Sequence, residues 1–227
     1  VPLERPDGKA RQTRRGAVRT LLGCPWDAPV IGITAVLRPE KNHELLLRAF
    51  ARVREELPAA ELWIVGDGPR WEFLEAECVR VGLSAGRKSG EGGMPPVVRP
   101  AVHFLGRRAD ARALMAGFDL AVLSSHPRVE TLPLALIEAM DAGIPVVSTR
   151  VGALAELVEA GASGLLVSPG DEAALAGALL GLLRDPDRRA VMGRRGQEIV
   201  AARFSVERMV EATERLLLGL LGIVAKR

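Results

Sequence analysis

The chain has no tyrosine, and aromatic residues make up only 4% of its 227 positions. Rows of stacking side chains for bases are therefore missing, and no RNA- or DNA-binding motif stands in their place, so nucleic acid is set aside as a partner. Cysteine is almost as scarce. Cys24 and Cys78 lie in different kinds of segment, with no CxxC spacing and no histidine pair near either. They read as reduced thiols of a cytoplasmic protein, not as a disulfide or a zinc site. No stretch reads as a signal peptide, and no apolar run reaches the roughly 18 residues of a membrane span. The nearest approach is the C-terminal LLLGLLGIVAKR, which is too short to cross but could lie against another domain or, peripherally, a membrane surface. The sequence GxxxxGKS/T does not occur, nor does a Ser-His-Asp order or a metal-ligand cluster. These absences weigh against a P-loop nucleoside triphosphatase, a triad hydrolase and a metal-centred enzyme.

What is present suits a folded domain. Hydrophobic residues make up 48% and charged residues 26%, in a chain long enough for one large domain or two small ones. The net charge of +3 comes from scattered basic residues, mostly arginine, which read as solvated helix faces. Residues 1–29 form a basic lead-in: ARQTRRGAVRTLLG reads as a short helix ended by Gly23, entered from a linker-like, Pro- and Arg-containing start.

From Val30 onward strands and helices alternate. VIGITAVL, AAELWIVG, VHFLG, DLAVLSS, IPVVS and GLLVSPG are short apolar runs without polar alternation, the pattern of strands buried on both faces. Helical segments separate them, such as ELLLRAFARVREEL, where Leu45, Leu46, Ala49, Phe50 and Val53 share one face. About six such alternations with short connections predict an α/β fold, a doubly wound parallel sheet followed by C-terminal helices. Ser84 to Pro100, rich in Gly, Pro and Ser, reads as a flexible insertion at 84–100. The expected division is a lead-in at 1–29, the sheet domain at 30–202, and a C-terminal helix at 203–227 that packs on that domain or on another.

Sheets of this class bind ligands beyond the carboxyl ends of their strands. The stretch from Ser124 to Val151 supplies a strand exit, an acidic loop, a helix beginning near Leu134 and a second buried strand. Glu130 falls in the loop and Glu138, eight positions on, within the helix. The helix N-terminus offers unpaired N–H groups suited to a phosphate, while the carboxylates suit hydroxyls, as on a ribose or a sugar. Arg38 and Lys41, just past the first strand, form a plausible diphosphate clamp. Gly66-Asp67-Gly68-Pro69 is a Gly-rich strand exit, but Trp71 stands where a dinucleotide fingerprint has its third glycine, and the following helix is expected to begin at Pro69. His43 reads as a clamp member or a capping residue, His103 as structural, and His126 as a residue of the acidic loop, with ligand contact its lesser reading.

Taken together, these residues resemble the retaining glycosyltransferases of family four, of GT-B fold. VETLPLALIEAMDAGIPVVSTRVGALAELVEAGASGLLV is similar to that family's E-x7-E signature and the strand and loop after it. VLRPEKNHELLLRAF, WIVGDGP and VHFLGRR match its earlier motifs in order. The resemblance covers about Val30 to Leu221 and implies the Rossmann-like C-terminal, donor-binding domain, with a missing N-terminal acceptor-binding domain as partner. It implies a nucleotide-diphospho-sugar donor with a uridine or guanosine base, hexosyl transfer to an unknown acceptor, and no cofactor or metal. By the same resemblance Arg38 and Lys41 hold the diphosphate. Glu130, with the backbone of Thr131, Leu132, Pro133 and Leu134, addresses the sugar and phosphates, and Glu138 the ribose. Gly66, Gly68 and Pro69, with Leu105, Gly106 and Arg107, flank the base. One departure stands out: Val36 occupies the place of a family arginine, whose role passes to Arg38. Two rival readings remain, a nucleotide-sugar-binding module without transferase activity and another GT-B enzyme such as a sugar-nucleotide epimerase.

Overall fold

The computed structural model describes residues 8–87, 99–127 and 130–220. Its first half runs α1 (Gly8–Leu21), β1 (Val30–Thr34), α2 (His43–Glu56), β2 (Glu61–Val65), α3 (Trp71–Arg80), β3 (Ala85–Arg87) and β4 (Val102–Gly106). The second half runs α4 (Ala111–Leu114), β5 (Leu120–Leu123), α5 (Leu134–Asp141), β6 (Val146–Thr149), α6 (Leu154–Leu157), β7 (Gly164–Val167), α7 (Glu172–Leu183), α8 (Pro186–Arg203) and α9 (Val206–Leu220). The seven strands form one sheet in the order β3-β4-β2-β1-β5-β6-β7, with every neighbouring pair parallel.

The apolar runs become strands because helices cover both faces of the sheet. Alternate residues of one strand enter different cores: Ile31 and Ile33 one, Val30 the other; Leu62 and Ile64 one, Trp63 and Val65 the other. The first core is completed by α2 and α7 through residues such as Leu46, Phe50, Leu175 and Leu179, and the second by α5 and α8 through Leu136, Met140 and Ile199. The lead-in helix is tied to the amino edge of this sheet. Arg19, only 1% exposed, donates to Asp119 Oδ2 at 2.7 Å and to the carbonyls of Gly117, Trp26 and Ala28, while Val30 N donates to Asp119 Oδ2 at 2.8 Å. One buried carboxylate thus joins α1 to the starts of both β1 and β5.

Two boundaries differ from the sequence reading. The sheet has seven strands because Ala85–Arg87, assigned to the flexible insertion, pairs with β4 at its edge. Edge residues face solvent on both sides, so Ala-Gly-Arg forms a strand without the apolar run used to find the others; residues 88–98 of the insertion lie outside the described residues. Likewise, α3 begins at Trp71, not at Pro69, because Trp71 N still bonds back to Gly68 O at 3.2 Å in a turn. No residue of α9 is buried, and Val206, Met209, Val210, Leu216, Leu217 and Leu220 are exposed. No helix among the described residues is long and apolar enough to cross a membrane.

From β1 the chain moves out through β2 to the β3 edge, then returns to lay β5 on the other side of β1. The order of strands reverses between β1 and β5, and at such a reversal the connections leave in opposite directions and open a crevice above the carboxyl ends.

Candidate functional site

The loops after β1 and β5 are laced together at that crevice. After β1, Pro39–Lys41 makes a 3-10 turn that ends on Asn42 in the left-handed region (φ 47°, ψ 47°), a conformation asparagine tolerates better than most residues. Asn42 then caps α2, its side chain accepting from Leu45 N. After β5, Ser124 Oγ donates to the carbonyls of Lys41 (2.9 Å) and Asn42 (3.0 Å), and His126 N donates to Glu40 O (2.8 Å). These contacts bring Lys41 to Glu130. Lys41 Nζ forms an ion pair with Glu130 Oε1, and Ser125 Oγ donates to the same oxygen at 2.6 Å. The Glu130 side chain is 5% exposed and that of Lys41 23%.

The end of β6 and the loop after it brace the glutamate. Thr149 Oγ1, at the end of β6, donates to Ser125 O at 2.8 Å. Beyond it Gly152, with φ of 52°, lies so close that a Cβ there would stand 1.8 Å from Glu130 O, and Ala153 N donates to Thr131 O at 3.1 Å. Past Thr131, α5 starts at Leu134 with Pro133 at its N-cap and no side chain capping it. Leu136 N and Ile137 N return to Pro133 O, so the amides of Leu134 and Ala135 lack an intrahelical partner and point a partial positive charge out of the helix. Glu138 sits half-buried in the second turn.

On the other side of the reversal lies a cleft of about 740 Å³ beyond the ends of β1, β2 and β4. Its floor is backbone: at Gly66 (φ 148°) a Cβ would fall 1.9 Å from Ala35 O, and Gly66 N donates to Gly106 O at 2.9 Å. Leu37 N to Asp67 O and Arg70 N to Leu37 O knit the two loops together. Thr34, Val36, Gly68, Arg107 and Arg108 are among the other residues that line it. Thr34 Oγ1 is buried without a hydrogen-bond partner, and Arg108 is held by Asp110 through two bonds of 2.8 Å.

The sequence-predicted residues thus separate into two groups. Lys41 and Glu130 meet beside the approach to α5 formed by Thr131, Leu132, Pro133 and Leu134, with Glu138 in that helix. Gly66, Gly68 and Arg107 line the cleft, with Gly106 paired to Gly66 and Pro69 exposed beside it. Leu105 offers a ligand only its backbone, because its side chain is 4% exposed and packs in the second core. Arg38 is exposed and lines no part of the cleft. Where the resemblance has an arginine, Val36 is 47% exposed in the cleft wall. His43 is buried behind Lys41, its imidazole pushed down to about 4 by burial and then by Lys41 and Arg70. His103 stands at the opposite edge, Nε2 3.1 Å from Glu61 Oε2, in a structural role. The sequence places Ser124 and Ser125 in a strand-exit loop of the candidate site but assigns no contact to them, and it assigns none to Gly152. The serines looked like an ordinary strand end, and the signal for Gly152 was a lone glycine between a strand and a helix. Among the described residues no three His, Cys, Asp or Glu side chains converge as a metal site.

Comparison with known proteins bears on this arrangement. The model of the family "Glycosyl transferases group 1" matches residues 28–185. The lipopolysaccharide core biosynthesis glycosyltransferase LpsE of Rhizobium meliloti is 32% identical over 199 residues, 88% of this chain and 52% of its own length. A GDP-mannose-dependent alpha-(1-6)-phosphatidylinositol monomannoside mannosyltransferase of Mycolicibacterium smegmatis is 34% identical over 192 residues, 85% of this chain and 46% of its own. Among solved structures, Anabaena HepE in complex with UDP-glucose superimposes with a TM-score of 0.78 at 29% identity, covering 91% of this chain and 53% of that one. The chain therefore spans about half the length of these proteins, and it belongs to the group 1 glycosyl transferases, with the Rossmann-like sheet of their GT-B fold.

Proposed function

We propose that this domain binds a nucleoside-diphosphate sugar across the reversal between β1 and β5, as the donor half of a retaining hexosyltransferase. The observation that carries the reading is the pairing of Lys41 with Glu130 beside an uncapped helix N-terminus, next to a cleft of about 740 Å³. The cleft has the size and mixed lining of a small-molecule site and suits the nucleoside, with Glu138 toward the ribose. The amides of Leu134 and Ala135, Lys41 and Arg38 would share the diphosphate, and Glu130 would address the sugar hydroxyls.

The chemistry follows from where charge develops. As the glycosidic bond to phosphate breaks, negative charge builds on the departing nucleoside diphosphate, and a cation already drawn onto the phosphates when the donor binds, together with fixed N–H dipoles, stabilises that charge. In this proposal Lys41 and the α5 N-terminus perform the task without a divalent metal. No protein nucleophile is assigned. HepE with UDP-glucose and the GDP-mannose-dependent relative make uridine and guanosine the two bases to test. The acceptor would be held by the further domain that the half-length coverage of relatives suggests, so the isolated chain should bind donor but transfer nothing. Calorimetric titration with UDP, GDP, UDP-glucose and GDP-mannose tests the reading; saturable binding of one base series supports it, and failure of all four refutes it.

A further inference from the structure

Glu130 is placed by two donors that share one oxygen. Ser125 Oγ and Lys41 Nζ both contact Oε1, while Oε2 takes no hydrogen bond among the described residues. The two donors differ in kind. Ser125 is fully buried and its backbone is fixed to β6 by Thr149, so its hydroxyl is a permanent feature of the site. Lys41 is partly exposed and carries its charge on a flexible four-carbon stem. One ammonium cannot give its full interaction to a carboxylate and to a diphosphate in two places.

Resting on the donor-site reading, we propose that Ser125 is a positioning residue and that Glu130 competes with the donor's diphosphate for Lys41. When Lys41 turns to the phosphates, a nearly buried carboxylate loses its counter-charge, which is unfavourable unless hydrogen bonds remain. Ser125 supplies the bond that remains, and it holds Oε1 so that Oε2 faces a sugar hydroxyl. A free nucleoside diphosphate draws Lys41 off Glu130 and returns nothing to the carboxylate. A sugar nucleotide draws it off and replaces it with a hydroxyl donor. The two parts of the donor are thereby coupled, and the intact sugar nucleotide is favoured over its own product.

The test uses two variants of opposite expected sign, titrated with UDP and UDP-glucose, or with GDP and GDP-mannose if the chain prefers guanosine. In Glu130→Gln the lysine is no longer held, so free diphosphate should bind about fivefold tighter or more, and the preference for the sugar nucleotide should vanish; a charged hydrogen-bonded contact has this order of effect. In Ser125→Ala the charges are unchanged but the remaining bond is gone, so free diphosphate should bind about three- to tenfold weaker and the sugar preference should shrink. A serine that merely supported the fold would lower both affinities by one factor and leave their ratio alone. Glu130→Gln binding free diphosphate no tighter than wild type, or Ser125→Ala leaving the ratio unchanged, overturns the proposal, and either variant decides if the other fails to fold. If wild type binds neither pair, the donor-site reading falls first and this proposal with it.

Discussion

Gly152→Ala is the substitution whose effect follows most directly from the geometry. Gly152 has φ of 52°, where a Cβ meets its own carbonyl, a penalty of about 1–2 kcal/mol for an ordinary residue. A methyl group there would also lie 1.8 Å from Glu130 O and 2.7 Å from Glu130 C, so backbone must move, and overpacking of this kind costs about 1–3 kcal/mol. Together these give about 3 kcal/mol, or roughly 6–12 °C in Tm for a chain of this size. The backbone that moves is that of Glu130, so binding of the sugar nucleotide should fall with stability. Gly161→Ala is the control: Gly161 has φ of 85° but nothing within 4 Å, so only conformational strain applies, about 1 kcal/mol and roughly 2–4 °C. Thermal unfolding and calorimetry on both variants provide the comparison. Equal losses in the two, or Gly152→Ala binding sugar nucleotide like wild type, would refute the claim that Gly152 positions Glu130.

Three other outcomes are expected. Asp119→Ala leaves Arg19 buried without its counter-charge and should lower unfolding free energy by about 3–5 kcal/mol in urea denaturation, while Asp110→Ala, an exposed partner of Arg108, should change it by less than about 1 kcal/mol. His43, held at about 4 by burial and by Lys41 and Arg70, binds fewer protons folded than unfolded. Its contribution, on the order of 3 kcal/mol, is present above pH 6.5 and lost as pH falls from there through 4, and His43→Gln should flatten that part of a stability–pH curve. Glu138→Ala should weaken binding of UDP or GDP as well as of the sugar nucleotides, because it is assigned to the ribose; unchanged binding of the free diphosphate would remove it from the site.

The sheet was legible because its central strands are buried on both faces, so VIGIT, ELWIV and VVST announce themselves as apolar, β-branched runs. β3 was not, since an edge strand needs only backbone pairing and Ala-Gly-Arg carries no pattern. The site was half legible. Lys41 and Glu130 stand out as charges at strand exits, but their contact spans 89 positions and depends on Ser124 and Ser125, whose hydroxyls acquire a role only when β1 and β5 lie side by side. Gly152 escaped notice for the same reason: its close neighbour is Glu130 O, far away in sequence. Position along the chain puts Leu105 with the base-flanking loop, whereas alternation along β4 turns its side chain into the core.

A donor diphosphate shared by Lys41 and the α5 N-terminus would be visible in a crystal structure of this chain soaked with UDP-glucose or GDP-mannose. The diphosphate is expected within hydrogen-bond distance of the Leu134 and Ala135 amides, the nucleoside in the cleft walled by Gly66 and Arg107, and Lys41 Nζ moved from Glu130 onto a phosphate oxygen. A sugar nucleotide bound with its phosphates away from α5, or with Lys41 still on Glu130, would contradict it.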